Sequence, residues 1–292
     1  MIAPLVTIAI PFYNNKETLL DAIKSVYAQT FNDWELLLLN DGSTDGSLQL
    51  VEHIKDPRVR LVDDRENRGL VYRLNQVSEL AKGQYIARMD ADDLMMPDRI
   101  AKQVAFMVRY PETDLVDTAA YTIDTSNKPI GKRGALPIRN TPKDVLKHAL
   151  LLHASILGRK EWFRNNPYDP AYVRAEDYEL WCRTYKFSNF KRIPEYLYII
   201  REGRVNIKNY LSSMRTLRMI FSVYGKGKLT YPALQWEIVK TYLKSYAYIF
   251  MGWLNKQDVL TANRNTALDL KEQQHLNEQI MKIQSLNIIT QA

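Results

Sequence analysis

Residues 5–43 read LVTIAIPFYNNKETLLDAIKSVYAQTFNDWELLLLNDGS, and the alternation inside them decides the fold. Leu5 to Ile10 is an apolar run of strand length broken only by Thr7, the pattern of a buried strand, and Pro11 is expected to end it. Asn14 or Asn15 can cap a following helix whose apolar face is Leu19, Ile23, Val26 and Tyr27. Trp34 to Leu39 is a second apolar run, closed by the turn cluster Asn40-Asp41-Gly42-Ser43.

The alternation continues to residue 120. A helix carries Leu48, Val51 and Ile54 on one side, and Val59 to Val62 is a third strand. Leu70 to Ala81 reads as a helix stopped by Gly83. Tyr85 to Ala87 is a fourth strand feeding Asp90-Ala91-Asp92-Asp93, and Pro97 suits the first turn of the next helix. Strands and helices in this order predict an α/β fold with a mainly parallel, Rossmann-like sheet flanked by helices. Ligands bind such sheets outside the carboxyl ends of the strands. The loops holding Tyr13-Asn14, Asp41 and Asp90 to Asp93 are therefore expected to converge on one edge. Beyond residue 120 the pattern weakens. Residues 124–138 read as a loop or hairpin, residues 151–201 as short strands with one helix from Glu176 to Lys186, and everything from Asn206 as helical.

At 292 residues, with 46% hydrophobic and 25% charged residues, the chain has the make-up of one globular α/β domain plus a smaller appendage. Cys182 is the only cysteine, which excludes an intramolecular disulfide and a cysteine-built zinc site. The run from Leu5 to Ile10 is too short for a secretory signal core, and that from Tyr246 to Leu254 is too short to span a bilayer. These readings place the protein in the cytoplasm or peripherally on the inner face of the plasma membrane. Residues 183–292 hold 17 Lys and Arg against 7 Asp and Glu, so an anionic partner is expected at that end.

Three carboxylates within Asp90-Ala91-Asp92-Asp93 repel one another unless a cation neutralises them. Hard oxygen ligands suit Mg²⁺ or Mn²⁺; the alternative is a solvated acidic turn with Asp93 capping the next helix. Asp41 can accept an N–H from a nucleobase, and Asp45 or Ser43 can cap the helix after it. Arg68 and Arg88 can pair with diphosphate oxygens or serve as ordinary salt-bridge arginines. Glu176-Asp177 can supply a general base or simply favour the dipole of its helix. Tyr178 and Trp181 fit a core better than a sugar platform, and His153 fits a structural role. The glycine-rich phosphate loops of dehydrogenases and nucleotide hydrolases are missing.

Six segments in order resemble glycosyltransferase family 2, the inverting nucleotide-sugar transferases of GT-A fold. They are Val6 to Asn14, Ser25 to Thr30, Asn40 to Asp45, Asn67 to Gly69, Gly83 to Asp93 and Ala175 to Arg183. The resemblance covers roughly residues 4–202 and implies residue roles. Pro11, Tyr13 and Asn14 would form the nucleotide loop, with Tyr13 stacking near the base and Asp41 accepting its N3–H. Arg68 and Arg88 would line the donor pocket. Asp90 would hold the ribose side, and Asp92 would bind Mn²⁺ or Mg²⁺ on the diphosphate. Asp177 would be the catalytic base, with Glu176 beside it. Some relatives carry a histidine downstream of the base helix; here Ile200 to Asn206 has none, and Arg201 or Arg204 would neutralise the diphosphate instead.

The domain boundaries expected are a catalytic domain over residues 1–205 and a helical extension over 206–292. The first divides into a nucleotide-sugar half (1–120) and an acceptor half (121–205). The donor would be a UDP-sugar and the acceptor a saccharide or lipid-linked saccharide, as in surface polysaccharide synthesis. Two alternatives stand beside this: an inactive binding protein on the same fold, and a sugar-phosphate nucleotidyltransferase. Nucleic acid is not an expected partner, because the basic residues are not interleaved as a base-stacking groove. The stripe Trp236, Val239, Leu243, Tyr246 and Phe250, with Lys240 and Lys244, can either dock on an anionic membrane or pack its helix onto the catalytic domain. Both can hold if different helices do the two jobs, with Lys208, Arg215 and Arg218 facing lipid.

Overall fold

The computed structural model describes residues 3–139, 141–261 and 264–288. The first half runs β1 (Val6–Phe12), α1 (Leu19–Tyr27), β2 (Trp34–Asn40), α2 (Ser47–Val51), β3 (Val59–Asp63), α3 (Leu70–Leu80) and β4 (Tyr85–Arg88). The second half runs β5 (Leu94–Met95), α4 (Arg99–Arg109), β6 (Leu115–Ile123), β7 (Pro129–Arg133), α5 (Pro142–Val145), β8 (Leu157–Arg159), α6 (Lys160–Asn165), α7 (Glu176–Thr184) and β9 (Phe190–Arg201). Three longer helices follow: α8 (Ile207–Tyr224), α9 (Tyr231–Trp253) and α10 (Leu270–Gln284).

The strands form one sheet in the order β3-β2-β1-β4-β8-β6-β9-β5, with β7 on β6. β3, β2, β1 and β4 are all parallel, as the alternation predicts. Beyond β4 the sheet is mixed: β8 is antiparallel to both β4 and β6, while β6 and β9 are parallel. β2 is buried at all seven positions, which is why its sequence is a leucine run rather than an alternation. On one face Ile8, Ile10, Leu36 and Leu38 pack with Ile23 and Val26 of α1; on the other Ala9, Leu37 and Leu39 pack with Leu74 and Val77 of α3. The chain leaves β1 toward β2 on one side and returns to β4 on the other. The crevice at the carboxyl ends of β1 and β4 is the switch point where such sheets bind ligands.

Several local expectations need correction. Pro11 does not end β1: it lies opposite Leu39, past Ala9, the last residue of β1 that pairs with β4. Neither Asn14 nor Asn15 caps α1 with its side chain; the first turn closes on the Asn15 carbonyl, which accepts from Thr18 and Leu19 N–H. α2 stops at Val51, short of Ile54. The region expected to hold short strands contains the short helix α6 and the 12-residue β9. Pro194 lies inside β9, and the ladder absorbs it: the partners of Thr118 and Ala119 jump from Ile193 to Tyr196. The hairpin expected in 124–138 is that of β6 and β7.

The change at residue 206 is one of secondary structure and not of core. Ile220 and Phe221 of α8 join the α3-side core. Leu276, Ile280 and Ile283 of α10 cover Leu94, Tyr121 and Ile199 of the sheet.

Candidate active site

A cleft of about 830 Å³ opens at the switch point. One wall is Pro11 and Tyr13 at the end of β1, with Tyr13 left 47% exposed. Asp41 and the 67–73 segment form the next wall, Arg88 to Asp92 the floor, and Val173 to Glu176 the far wall. The three loops expected to converge do so.

Asp41 is buried at the tip of β2. Its Oδ1 accepts the Arg68 N–H (2.9 Å) and the Arg73 Nε–H (2.8 Å), and its Oδ2 accepts the Gly69 N–H (3.0 Å). Oδ2 keeps one lone pair for a ligand N–H. Arg73, absent from the sequence reading, is fully buried and also grips Asp64 at 2.6 Å. Its signal was weak, since an arginine at an inward helical position reads as a breach of pattern. Gly42 lets this loop close: at φ +73 a Cβ there would sit 2.9 Å from the Asn67 N. Asn14 adopts φ +54 and staples the two loops, accepting the Thr44 N–H at 2.8 Å and donating its own N–H to the Ser43 Oγ. Neither Ser43 nor Asp45 caps α2 from the N-cap position. Asp45 instead takes the Ser47 and Lys16 N–H groups, which draws the β1 loop toward α2. Arg68 reaches the cleft while bonded to Glu66 (2.6 Å) and to the Tyr72 hydroxyl.

Arg88 is buried and clamps Asp90 with two N–H groups, at 2.6 and 3.3 Å. Burial is the largest influence and opposes its charge, but Asp90, Tyr168, Tyr198 and Glu176 together outweigh it and hold the guanidinium above its ordinary pKa. Asp93 does not cap α4, which begins at Arg99. It is buried and accepts the Arg201 N–H at 2.8 Å. Asp92 differs from both: it is exposed in the cleft, and its carboxylate accepts no hydrogen bond from another of the described residues. Loss of surrounding water, then the Asp90 charge, raises its pKa to about 6. Carboxylate oxygens of Asp90, Asp92 and Asp93 lie within 4.8 Å of one another, a hard donor set that fits a divalent cation. Asp92 is the member with free coordinating capacity.

Glu176 and Asp177 open α7. Glu176 lines the cleft; Asp177, next to it in the chain, is half-buried and is not among the cleft-lining residues. Burial raises both carboxyls above their ordinary range, and neither is in an ion pair among the described residues. Arg174, at φ +70 on the same wall, also faces the cleft and was not foreseen. Trp181 is core. Arg201 donates from Nε to the Asp92 carbonyl at 2.8 Å, which puts it against the acidic loop, in a neighbouring hollow also lined by Asp45. Arg204 is not brought to the cleft; its guanidinium is held by Asn255 and Gln257. A polar C-terminal loop captures it, which local sequence cannot reveal.

His153 is structural: its Nε2 is 2.7 Å from the Tyr168 hydroxyl. Burial, then the Arg88 charge, hold it well below its ordinary pKa of 6.5, so the folded state favours neutral imidazole. Its contribution is complete above about pH 6.5 and is lost as pH falls below that. Urea midpoints should decline from about pH 6.5 to pH 5, and His153→Gln should flatten the decline. An unchanged slope in the variant would contradict this.

The fold and the cleft together define a GT-A glycosyltransferase. The description "Glycosyl transferase family 2" matches residues 7–192, and the chain belongs to that family. EpsE of Bacillus subtilis, named as a glycosyltransferase, is 34% identical over 68% of this chain and 73% of its own. The UDP-Glc:alpha-D-GlcNAc-diphosphoundecaprenol beta-1,3-glucosyltransferase WfgD of Escherichia coli is 29% identical over 65% of this chain and 73% of its own. Among solved structures, S. aureus TarS 1–349 in complex with UDP superposes with a TM-score of 0.60 at 14% identity, covering 96% of this chain and 80% of that one. The mannosyltransferase PcManGT of Pyrobaculum calidifontis, in complex with GDP-Man and Mn²⁺, gives 0.60 at 16% identity, covering 97% and 87%.

Proposed function

We propose that this glycosyltransferase moves a sugar, with inversion, from a UDP-sugar to a hydroxyl of a saccharide or lipid-linked saccharide in surface polysaccharide synthesis. The observation that carries this reading is that one cleft unites a carboxylate with a spare lone pair, an open acidic loop and an acidic helix start. Asp41 takes the uracil N–H through its spare Oδ2 lone pair, with Tyr13 stacked nearby. Arg88 fixes Asp90 for the ribose, and Arg68 lines the donor pocket. Asp92 would hold Mn²⁺ or Mg²⁺, which when bound would supply positive charge for the leaving diphosphate. Arg201 supplies positive charge beside that loop, where some relatives place a histidine. Asp177 draws the proton from the acceptor hydroxyl, with Glu176 beside it on the cleft wall. The lipid-linked acceptor is supported by the substrate named for WfgD, and it would bring the enzyme to the inner face of the plasma membrane.

The metal role has a direct test. Titration of UDP into the wild type should give tight binding with Mn²⁺ and weak binding with EDTA. Asp92→Ala should weaken binding in Mn²⁺ and remove most of the difference. Equal affinity with and without metal in both proteins would refute the role.

A further inference from the structure

The stripe on α9 does not pack on the catalytic domain. Trp236, Val239, Leu243, Tyr246, Phe250 and Trp253 recur at steps of three and four, so they share one side of the helix. All six are exposed, Trp236 by 57%, Phe250 by 58% and Trp253 by 80%. The opposite side does the packing: Leu234, Glu237, Thr241 and Tyr248 are buried, and Tyr248 stacks on Tyr210 of α8 at 3.7 Å. No described residue covers the stripe.

We propose that this face of α9 is an interfacial docking surface for anionic lipid, and that it seats the cleft at the membrane. Charge complementarity selects that occupant. From residue 206 to residue 256 the only acidic residue is Glu237, against eight lysines and arginines. Glu237 is buried and paired with Lys147 and Lys240, so it offers no negative charge outside. Lys208, Arg215, Lys226, Lys244 and Lys256 are exposed on and beside the helix pair. A second copy docking on this face would bring two such cationic surfaces together without counter-charge. An anionic bilayer supplies that counter-charge, and the mixture of Trp, Tyr and Phe is the composition that favours the headgroup boundary. No helix of the described residues is long and apolar enough to cross a membrane, so the mode is contact with one leaflet.

The docking helices are joined to the reaction wall. Thr216 and Ser213 of α8 donate to the Val173 and Arg174 carbonyls, at 2.7 and 3.1 Å, on the cleft wall that ends at Glu176. A membrane-held α8–α9 pair therefore supports the side of the cleft assigned to the acceptor. The inference rests on the lipid-linked reading of that acceptor for its purpose, and on the exposed surface of the α8–α9 pair for its binding.

Vesicle co-sedimentation of the full chain tests it, with UDP titration on the same samples as a check of the cleft. The wild type should bind vesicles of phosphatidylglycerol and phosphatidylcholine, but not phosphatidylcholine alone. About 0.5 M salt should release it, because screening then acts within a few ångströms. The triple variant Trp236→Gln, Phe250→Gln, Trp253→Gln should lose at least about ten-fold in vesicle affinity while binding UDP normally. Charge reversal at Lys208, Arg215 and Lys244 to Glu should lose about a hundred-fold or more. A wild type that stays in the supernatant at low salt overturns the proposal. So does an aromatic variant that sediments like the wild type, or a stripe that holds a dimer in sedimentation velocity without binding vesicles. Vesicle binding without UDP binding would sink the donor reading and leave the docking face intact.

Discussion

Asp177→Asn should lower kcat by about 10²–10⁴-fold, the range typical of losing a general base, with the affinity for UDP changed little. The substitution keeps size and removes basicity. Burial lifts the Asp177 carboxyl above its usual range, which moves it toward the pKa a base needs near neutral pH. The neighbouring carboxylate is the necessary control, because Glu176 and not Asp177 forms the cleft surface. Glu176→Gln should retain more activity than Asp177→Asn. If the order is reversed, the base is Glu176; if Asp177→Asn turns over like the wild type, Asp177 has no part in proton removal. Both variants should be read at saturating donor and acceptor, so that kcat is separated from binding.

Arg73→Met should destabilise the fold by about 3–5 kcal/mol, the cost of breaking a buried ion pair by removing one partner. Arg73 is fully buried and ties Asp41, at the tip of β2, to Asp64, which follows β3. Without it, Asp41 keeps only backbone N–H groups from Arg68 and Gly69 as partners. Chemical denaturation measures the loss directly. A second readout is the acid limb. The hydrogen bond from Arg73 holds the Asp64 carboxyl down to about 2, so its stabilisation is complete above the unfolded value near 4. It is lost as pH falls toward 2, and the variant should show a flatter decline in that window. A loss below about 1 kcal/mol would mean that the 41–73 network is dispensable to the fold.

Much of the first 120 residues is legible because their signals are local. Apolar runs of strand length, turn residues at their ends and amphipathic helices between them are written within short windows, and the switch-point rule then places Tyr13, Asp41 and Asp90 to Asp92 together. The second half was harder for physical reasons. Its strands pair across long separations, as Leu115 does with Phe190, and Pro194 interrupts β9 in sequence but not in space. Arg73 and Arg174 escaped notice because each gains its role from partners distant in sequence or from a left-handed backbone. Arg204 was drawn toward the site by proximity to Arg201, yet a C-terminal loop binds it elsewhere. The acidic loop was read as a group of three; structure divides it into a clamped Asp90, an open Asp92 and a buried Asp93. The α9 stripe was visible as periodicity, but periodicity does not say which side of a helix is covered.

The most direct test of the account is release of UDP from a panel of UDP-sugars, with a lipid-linked saccharide acceptor, in Mn²⁺ and in EDTA. The account predicts acceptor-dependent UDP release by the wild type in Mn²⁺, with inversion at the anomeric carbon of the product. Release should fall sharply in EDTA and in Asp177→Asn. Failure of every UDP-sugar to bind or turn over, or a product that retains the donor's anomeric configuration, would contradict it.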